Sequence, residues 1–147
     1  MILSIPMQLE AAKKETGVEF MEIEDNQFNM IKKKNILENL SIFISNESNF
    51  MWEQFADYSD ICGEFDWQYL SDILPEENCY LFFNQTECRK AYLFKNGKDL
   101  CDVLGETYNF EIYVTDYQGT YLICFNHEMI LTGCGRVKQW MDWKKHL

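Results

Sequence analysis

Apolar positions recur with helical spacing in the first half of the chain and again at its end. Helical composition, or spacings of three and four residues, predicts helices over residues 9–16, 27–43, 50–58 and 67–74, and a last one from Val137. We expect the first helix to end at Gly17, since glycine readily adopts the left-handed conformation that closes a helix. The fourth should stop at Leu74, because the residue before a proline disfavours helical geometry. Residues 18–23 alternate apolar and acidic side chains, which suits a short edge strand or a turn.

The pattern changes after Pro75 to short runs of aromatic and β-branched residues separated by turn formers, which is typical of strands. Such runs cover residues 79–83, 91–94, 110–115, 120–125 and 129–132. The links at 116–119 and 126–128 are short enough to join antiparallel neighbours, which predicts a meander. Apolar residues at helical offsets ahead of Gly105 predict a short helix that interrupts the strands. Residues 133–135 are expected to break the last strand.

This order of elements predicts an α+β fold, with a central, mainly antiparallel sheet flanked by N-terminal helices and a C-terminal helix. The 147 residues, 47% of them hydrophobic, suit a single domain over residues 1–147 with a sizeable buried core. The apolar residues 1–6 lack a basic leader and run directly into charged residues. We therefore expect neither a secretory signal nor a membrane span, and a cytoplasmic protein.

Charge is distributed unevenly along the chain. The 54 residues from Asn35 to Cys88 contain eleven carboxylates and no lysine or arginine, so they account for the whole formal charge of -11. The same segment holds aromatic side chains such as Trp52 and Trp67, which need burial or a partner, so we expect a folded acidic face rather than a solvated tail. Such a face repels nucleic acid and anionic lipid and speeds encounter with a basic protein.

The cysteines and tryptophans are expected to be mainly structural. No two cysteines have the C-x-x-C spacing of a zinc or redox motif, and most lie among apolar residues, where a free thiol behaves as a small hydrophobe. Because cytosolic disulfides are scarce, we predict buried, reduced thiols at Cys62, Cys79, Cys88, Cys101, Cys124 and Cys134. Trp143 lies off the apolar stripe of the last helix and is the tryptophan expected to be exposed.

Motifs of established catalytic chemistry are missing from the sequence, which has no phosphate-binding glycine loop, H-E-x-x-H, nucleophile elbow or dinucleotide fingerprint. His127, with Glu128 beside it and Asp116 at the preceding turn, could form a loop-borne acid/base or metal pair, although a solvent-facing hairpin histidine is commoner. Residues 133–135 could present backbone N–H groups to an anion at a helix start, or simply bend the chain. Cys134 would need a nearby base to act as a nucleophile.

Calcium binding by the acidic segment is a further possibility, through Asp57, Asp60, Glu64 and Asp66. Their spacing does not match the calcium-binding loop D-x-[DN]-x-[DN]-G, and a solvated charged face is far commoner. We therefore predict no enzyme activity, no metal and no cofactor.

The region from Trp67 to Trp143 resembles a known superfamily. A helix ending in Leu74-Pro75, an acidic turn, an aromatic strand, an F-x-N-G segment at 94–97, a pair of strands ending near Asn126 and a closing helix together resemble the SUKH superfamily. That group contains the Smi/Knr-type fungal regulators of cell-wall glucan synthesis and many bacterial immunity proteins. The resemblance implies an α+β domain without a catalytic centre that acts by binding another protein. In bacterial members this partner is typically a toxin, often a nuclease.

Charge and resemblance together predict a non-catalytic, cytoplasmic, immunity-type domain that neutralises a toxin through its acidic face. We expect the partner to be a basic protein, and we expect no binding to nucleic acid or to a membrane. The expected partner-binding residues are carboxylates and tryptophans of the acidic segment: Glu47, Trp52, Glu53, Asp57, Asp60, Glu64, Asp66, Trp67, Asp72, Glu76 and Glu77. Two alternatives stay open. One is a regulatory or scaffold module with an endogenous partner, and the other is a small enzyme or ligand-binding protein with a site near Asp116, His127 and Gly133.

Overall fold

The computed structural model describes residues 4–24, 27–28, 30, 57–62, 66–74, 76–84, 87–107, 111–126 and 128–145. The α-helices with described bounds are α1 Ile5–Thr16, α2 Leu70–Ile73, α3 Gly97–Leu104 and α4 Lys138–Lys145. The strands are β1 Met21–Ile23, β2 Tyr58–Cys62, β3 Cys79–Phe82, β4 Ala91–Phe94, β5 Ile112–Thr115, β6 Tyr121–Phe125 and β7 Ile130–Gly135. A 3₁₀ turn at Asp66–Tyr69 leads into α2. The predicted α+β fold with a central antiparallel sheet is confirmed.

The seven described strands form one sheet in the order β1-β4-β3-β5-β6-β7-β2, and every pairing is antiparallel. β3 and β4 are sequence neighbours that pair, and β5, β6 and β7 form the predicted meander. β2 comes from the acidic segment and closes one edge by pairing with β7, with Tyr58 opposite Cys134. The sequence pattern predicted a helix up to residue 58 and no strand after it. The strand was not predicted because Tyr58, Ser59 and Asp60 do not alternate regularly between apolar and polar side chains.

Both faces of the sheet are buried, which explains why the strands appear in the sequence as nearly continuous apolar runs. Along β3, Cys79 and Leu81 pack in the core on the helical side, whereas Tyr80 and Phe82 belong to a second core on the opposite face. Phe28 packs on that second face, with its ring centroid 4.7 Å from that of Phe82. The four helices supply the first core with buried side chains that include Leu9, Leu70, Leu100 and Met141.

Helix α1 ends as predicted and begins earlier. The Ser4 hydroxyl accepts a hydrogen bond from the Met7 backbone N–H at 3.4 Å, and Pro6 lies in the first turn, where its missing N–H removes no helical bond. Gly17 closes the helix in the left-handed conformation, with φ of 71°. The helix therefore starts at Ile5 rather than at residue 9. Ser4 caps it and Pro6 fits its first turn, so it begins before the stretch whose composition is clearly helical.

The last strand is not broken at residues 133–135, so that prediction is wrong. β7 continues to Gly135, and Gly133 lies beneath α4. A Cβ atom at Gly133 would lie 2.6 Å from Met141 Sδ and 3.0 Å from Val137 Cγ2, so the glycine allows α4 to pack closely on the sheet. Residues 133–135 therefore do not form the helix start that an anion site would need.

All six cysteines are free; four are buried, Cys101 is half-buried and Cys62 is exposed. Burial is the main cause that raises the pKa of Cys79 and of Cys134 to about 12, and that of Cys101 to about 11. These groups are therefore neutral thiols near pH 7, and Cys134 lacks the thiolate that a nucleophile needs. The prediction of unpaired cysteines is confirmed, whereas the prediction of burial is confirmed for four of them, holds only in part for Cys101 and is wrong for Cys62.

Membrane insertion through a helix finds no support in the described part of the chain. There, no helix combines the length and the apolar character needed to cross a bilayer.

Candidate functional site

Polar side chains gather at the end of the sheet where β3 begins and where β5 and β7 end. The antiparallel register brings these ends together, since Tyr80 lies opposite Thr115 and Tyr121 lies opposite Gly135. They surround an open cleft of about 630 Å³, which we call the sheet-end cleft. Its charged and exposed aromatic lining residues are Glu76, Glu77, Asp116, Tyr117 and Arg136.

Arg136 is the cation of the sheet-end cleft and follows the last residue of β7. Its Nη2 atom donates a hydrogen bond to Glu77 Oε2 and lies 3.7 Å from Asp116 Oδ2. Its Nε atom donates to Thr120 Oγ1 at 2.7 Å, and Cζ lies 4.7 Å from the ring centroid of Tyr121. Charge, hydrogen bonds and a ring face together hold this guanidinium in place.

Asp116 is positioned by the turn between β5 and β6. Its Oδ1 atom accepts a hydrogen bond from the Thr120 backbone N–H at 2.8 Å, and its Oδ2 atom accepts one from the Thr120 hydroxyl. Gly119 has a φ of 66° and donates its backbone N–H to the Asp116 carbonyl at 3.3 Å. The carboxylate is thus part of the turn itself, which fixes its orientation toward Arg136.

The charged lining of the sheet-end cleft consists of three carboxylates and one guanidinium. Glu76 is exposed and has no ion-pair partner among the described residues. Tyr117 is 61% exposed, and its ring centroid lies 6.5 Å from that of Tyr80. An open cleft with excess negative charge and an accessible aromatic ring can hold a cationic side chain through both its charge and its apolar stem.

Asp57 and Asp60, two of the predicted partner-binding residues, lie on β2 or directly before it. Asp57 precedes the strand at the same end of the sheet as the cleft, and its side chain is 90% exposed. It lies 3.7 Å from Lys138 Nζ, which also contacts Asp142 at 3.0 Å. The hydrogen bond to Asp142 and the charges of Asp142 and Asp57 raise the pKa of Lys138. Asp60 is half-buried in the middle of β2, opposite Thr132.

Trp67 and Asp72 lie beside the helical layer. Asp72 is exposed on α2, as expected for a surface carboxylate. Trp67 is only half-exposed, because the 3₁₀ turn packs it against the first core and near Gly105 at the end of α3. Its backbone carbonyl accepts a hydrogen bond from the Cys101 thiol at 3.5 Å. Its ring lies 3.6 Å from the position of a Cβ atom added at Gly105, so Trp67 packs against the end of α3.

Trp143 is 56% exposed, so the prediction for this residue is confirmed. The remaining predicted partner residues, Glu47, Trp52, Glu53 and Glu64, lie outside the described residues. Asp66 begins the 3₁₀ turn, but its side chain also lies outside them.

The acidic segment is partly compensated by the C-terminal region, which corrects the expectation of an uncompensated face. Arg136 pairs with Glu77, and Lys138 approaches Asp57. The pairing of Arg136 with Glu77 could not be foreseen from the sequence, because the two residues lie 59 positions apart and only the sheet register joins them. Glu76 has no such counter-ion among the described residues, and the cleft lining holds three carboxylates against one guanidinium, so excess negative charge persists at the cleft.

Asp116 and Gly133, the two described residues of the alternative site, lie in different parts of the sheet. Asp116 lies in the turn between β5 and β6. Gly133 lies within β7 beneath α4. His127 itself lies outside the described residues.

The fold and its cleft define a small α+β protein with a negatively charged surface depression. A family profile matches residues 6–145, and the chain therefore belongs to a family of unknown function, DUF6756. No curated protein matches the chain, and no solved structure matches it.

Proposed function

We propose that this protein is a non-catalytic, cytoplasmic protein-binding domain of the immunity type, which neutralises a basic toxin. The observation that carries the proposal is the excess negative charge of the sheet-end cleft, beside the exposed ring of Tyr117. A concave negative surface attracts cations and accelerates association with a basic protein. The resemblance of residues 67–143 to the SUKH superfamily favours the same class of partner.

Binding would use the parts of the cleft that have no counter-ion of their own. Glu76 can receive a lysine or arginine side chain of the partner, while Tyr117 offers a ring for the apolar stem of that side chain. Outside the cleft, Asp57 adds a carboxylate beside β2 at the same end of the sheet; it is 90% exposed although Lys138 Nζ lies 3.7 Å away. If the toxin is a nuclease, these carboxylates would occupy the positions of substrate phosphates and cover the basic site.

The test begins with the genes on either side of this one. We expect one of them to encode a small basic toxin domain that binds this protein and loses its toxicity in the complex. The variant Glu76→Lys should weaken binding about tenfold, mainly by slowing association, because it reverses a charge at the rim of the interface. Raising the salt concentration should have a similar effect on the wild type.

Glu106→Lys is the matched control. It makes the same charge change at an exposed position after α3, outside the cleft lining. Equal affinity of wild type and Glu76→Lys would show that the cleft is not the binding surface. Affinity capture that recovers only acidic proteins would overturn the proposal. Capture of an endogenous basic protein, with no toxin gene nearby, would instead assign the cleft to a regulatory or scaffold module.

A further inference from the structure

The sheet-end cleft already holds one guanidinium, and the groups around it show what the cleft can offer to such a cation. Arg136 lies with its Cζ atom 4.7 Å from the ring centroid of Tyr121. Its Nη2 atom contacts the carboxylates of Glu77 and Asp116, and its Nε atom donates to the Thr120 hydroxyl at 2.7 Å. An aromatic ring together with several oxygen acceptors suits a planar cation that carries five donors.

The same cleft contains a second set of these groups. Tyr117 presents a ring that is 61% exposed, and the ring of Tyr80 lies beside it with its centroid 6.5 Å away. Glu76 adds an exposed carboxylate to the lining, and Asn78 adds an exposed side-chain amide whose oxygen can accept a hydrogen bond. The lining therefore combines a second accessible ring with further oxygen acceptors.

The charge of the lining leaves room for a further cation. Its three carboxylates are opposed by the single guanidinium of Arg136, so a formal charge of -2 remains. Arg136 contacts Glu77 and Asp116, which leaves Glu76 as the carboxylate available to a cation from outside the chain. Glu76 is exposed, so such a cation can reach it directly from solvent.

We propose that the sheet-end cleft recognises an arginine side chain of the basic partner, with the guanidinium against the ring of Tyr117 and its donors directed to Glu76. This inference rests on the proposed function and adds which cationic side chain the cleft selects. A guanidinium stacks on aromatic faces and is more weakly hydrated than the ammonium group of lysine. Its several donors can also reach a carboxylate and a neighbouring amide oxygen at the same time.

A divalent metal ion is a poorer occupant of the cleft. Both carboxylate oxygens of Asp116 accept hydrogen bonds from Thr120, and Glu77 accepts one from Arg136. Calcium takes about six to eight oxygen ligands, more than Glu76 can provide. An arginine side chain needs only one carboxylate and a ring face, and the cleft offers both.

Two peptides of equal charge separate arginine recognition from a general attraction of cations. One consists of four Gly-Arg repeats and the other of four Gly-Lys repeats, both with blocked ends, and each is titrated into the full chain. We expect the arginine peptide to bind about fivefold more tightly, a factor that a cation on an exposed aromatic ring can supply. NMR shift changes of backbone amides should concentrate at residues 76–78 and 116–118.

Variants of the protein assign the preference to the ring. Tyr117→Ala should weaken binding of the arginine peptide about fivefold, so that the two peptides bind alike, whereas Tyr117→Phe keeps the ring and should keep the preference. Glu76→Gln should weaken both peptides by the same factor, about threefold, because it removes a charge that either cation uses. Trp143→Ala is the matched control, since it removes a ring that is 56% exposed on α4, outside the cleft lining, and it should change either affinity by less than about twofold.

Circular dichroism checks that the variants fold, and the two peptides on the wild type decide the question if Tyr117→Ala does not. Equal affinity of the two peptides would overturn the inference and leave the proposed function standing, since that function needs only a basic partner. A preference for arginine that persists in Tyr117→Ala, or shift changes outside the cleft, would also overturn it. No saturation up to about 1 mM arginine peptide would do the same. The proposed function is decided separately, by the toxin encoded beside this gene and the Glu76→Lys variant.

Discussion

Replacing Gly97 with alanine should strongly destabilise the protein. Gly97 begins α3 where it meets α2, and its backbone N–H donates to the Leu74 carbonyl at 2.7 Å. A Cβ atom at this position would lie 2.3 Å from the Leu70 carbonyl oxygen and 2.6 Å from that of Leu74. Both are backbone atoms, so the clash can be relieved only by moving α2 against α3.

The expected loss is about 3 kcal/mol, at the upper end of the usual cost of overpacking. This is a large part of the roughly 5–15 kcal/mol by which a domain is stable. For a chain of this size it corresponds to a fall in Tm of about 6–12 °C.

Gly105→Ala is the control, at the opposite end of the same helix. Gly105 has a φ of -63°, and the atom nearest to an added Cβ, the Cys101 carbonyl oxygen, lies at 3.5 Å. Alanine fits there without strain and reduces the freedom of the unfolded chain, so a gain of about 0.4–1 kcal/mol is expected.

Urea unfolding followed by circular dichroism, together with thermal melts, measures both variants against the wild type. The slope of the unfolding free energy with urea should stay constant, so that the midpoints report stability alone. If Gly97→Ala unfolds within about 0.5 kcal/mol of the wild type, the close contact between α2 and α3 is not present as described.

Three further outcomes are expected. Cys62 should be the one thiol that reacts rapidly with a thiol reagent near pH 8, since it is exposed, and Cys62→Ser should remove that fast phase. A fast phase that persists would contradict the burial of four of the other thiols and the raised pKa of the half-buried Cys101. Burial raises the pKa of Cys79 and Cys134 from 9.0 to about 12, so the stability they contribute is complete below pH 9 and is lost between about pH 9 and 12. Across this range the free energy of unfolding in urea experiments should fall by up to about 1.4 kcal/mol for each thiol and each pH unit. The Cys134→Ala variant should lose stability less steeply with pH than the wild type. Arg136→Ala should cost only about 1 kcal/mol in urea unfolding, because its ion pairs are partly exposed, and a loss of 3 kcal/mol or more would refute that reasoning.

Local patterns predicted most of the described elements. The end of α1 at Gly17, the stop before Pro75 and the aromatic runs of β3 to β6 each depend on residues close in sequence. β2 was missed because its residues have little apolar periodicity, and it owes its strand conformation to pairing with β7. The end of β7 was missed because glycines favour a break locally, whereas here Gly133 is required by the packing of Met141.

The sheet-end cleft could not be predicted from the sequence. Glu76 and Glu77 were predicted as partner-binding carboxylates from the sequence alone, but Arg136 and Asp116, which lie beside them in the cleft, come from distant segments. Strand order decides which turns meet at one end of a sheet, and a single sequence does not specify that order. The charge of the acidic segment was therefore predictable, while its partial neutralisation by Arg136 and Lys138 was not.

The pairing of Tyr58 with Cys134 has a consequence for how the protein is made. β3 with β4, and β5 with β6 and β7, can pair soon after synthesis, since short connections close at low entropic cost. β2 is translated before all of them, yet its place in the sheet exists only once β7 has left the ribosome. We therefore expect the sheet to lack its β2 edge until β7 has emerged from the ribosome. Until then β2 is an unpaired strand, which needs protection from association with other chains during translation.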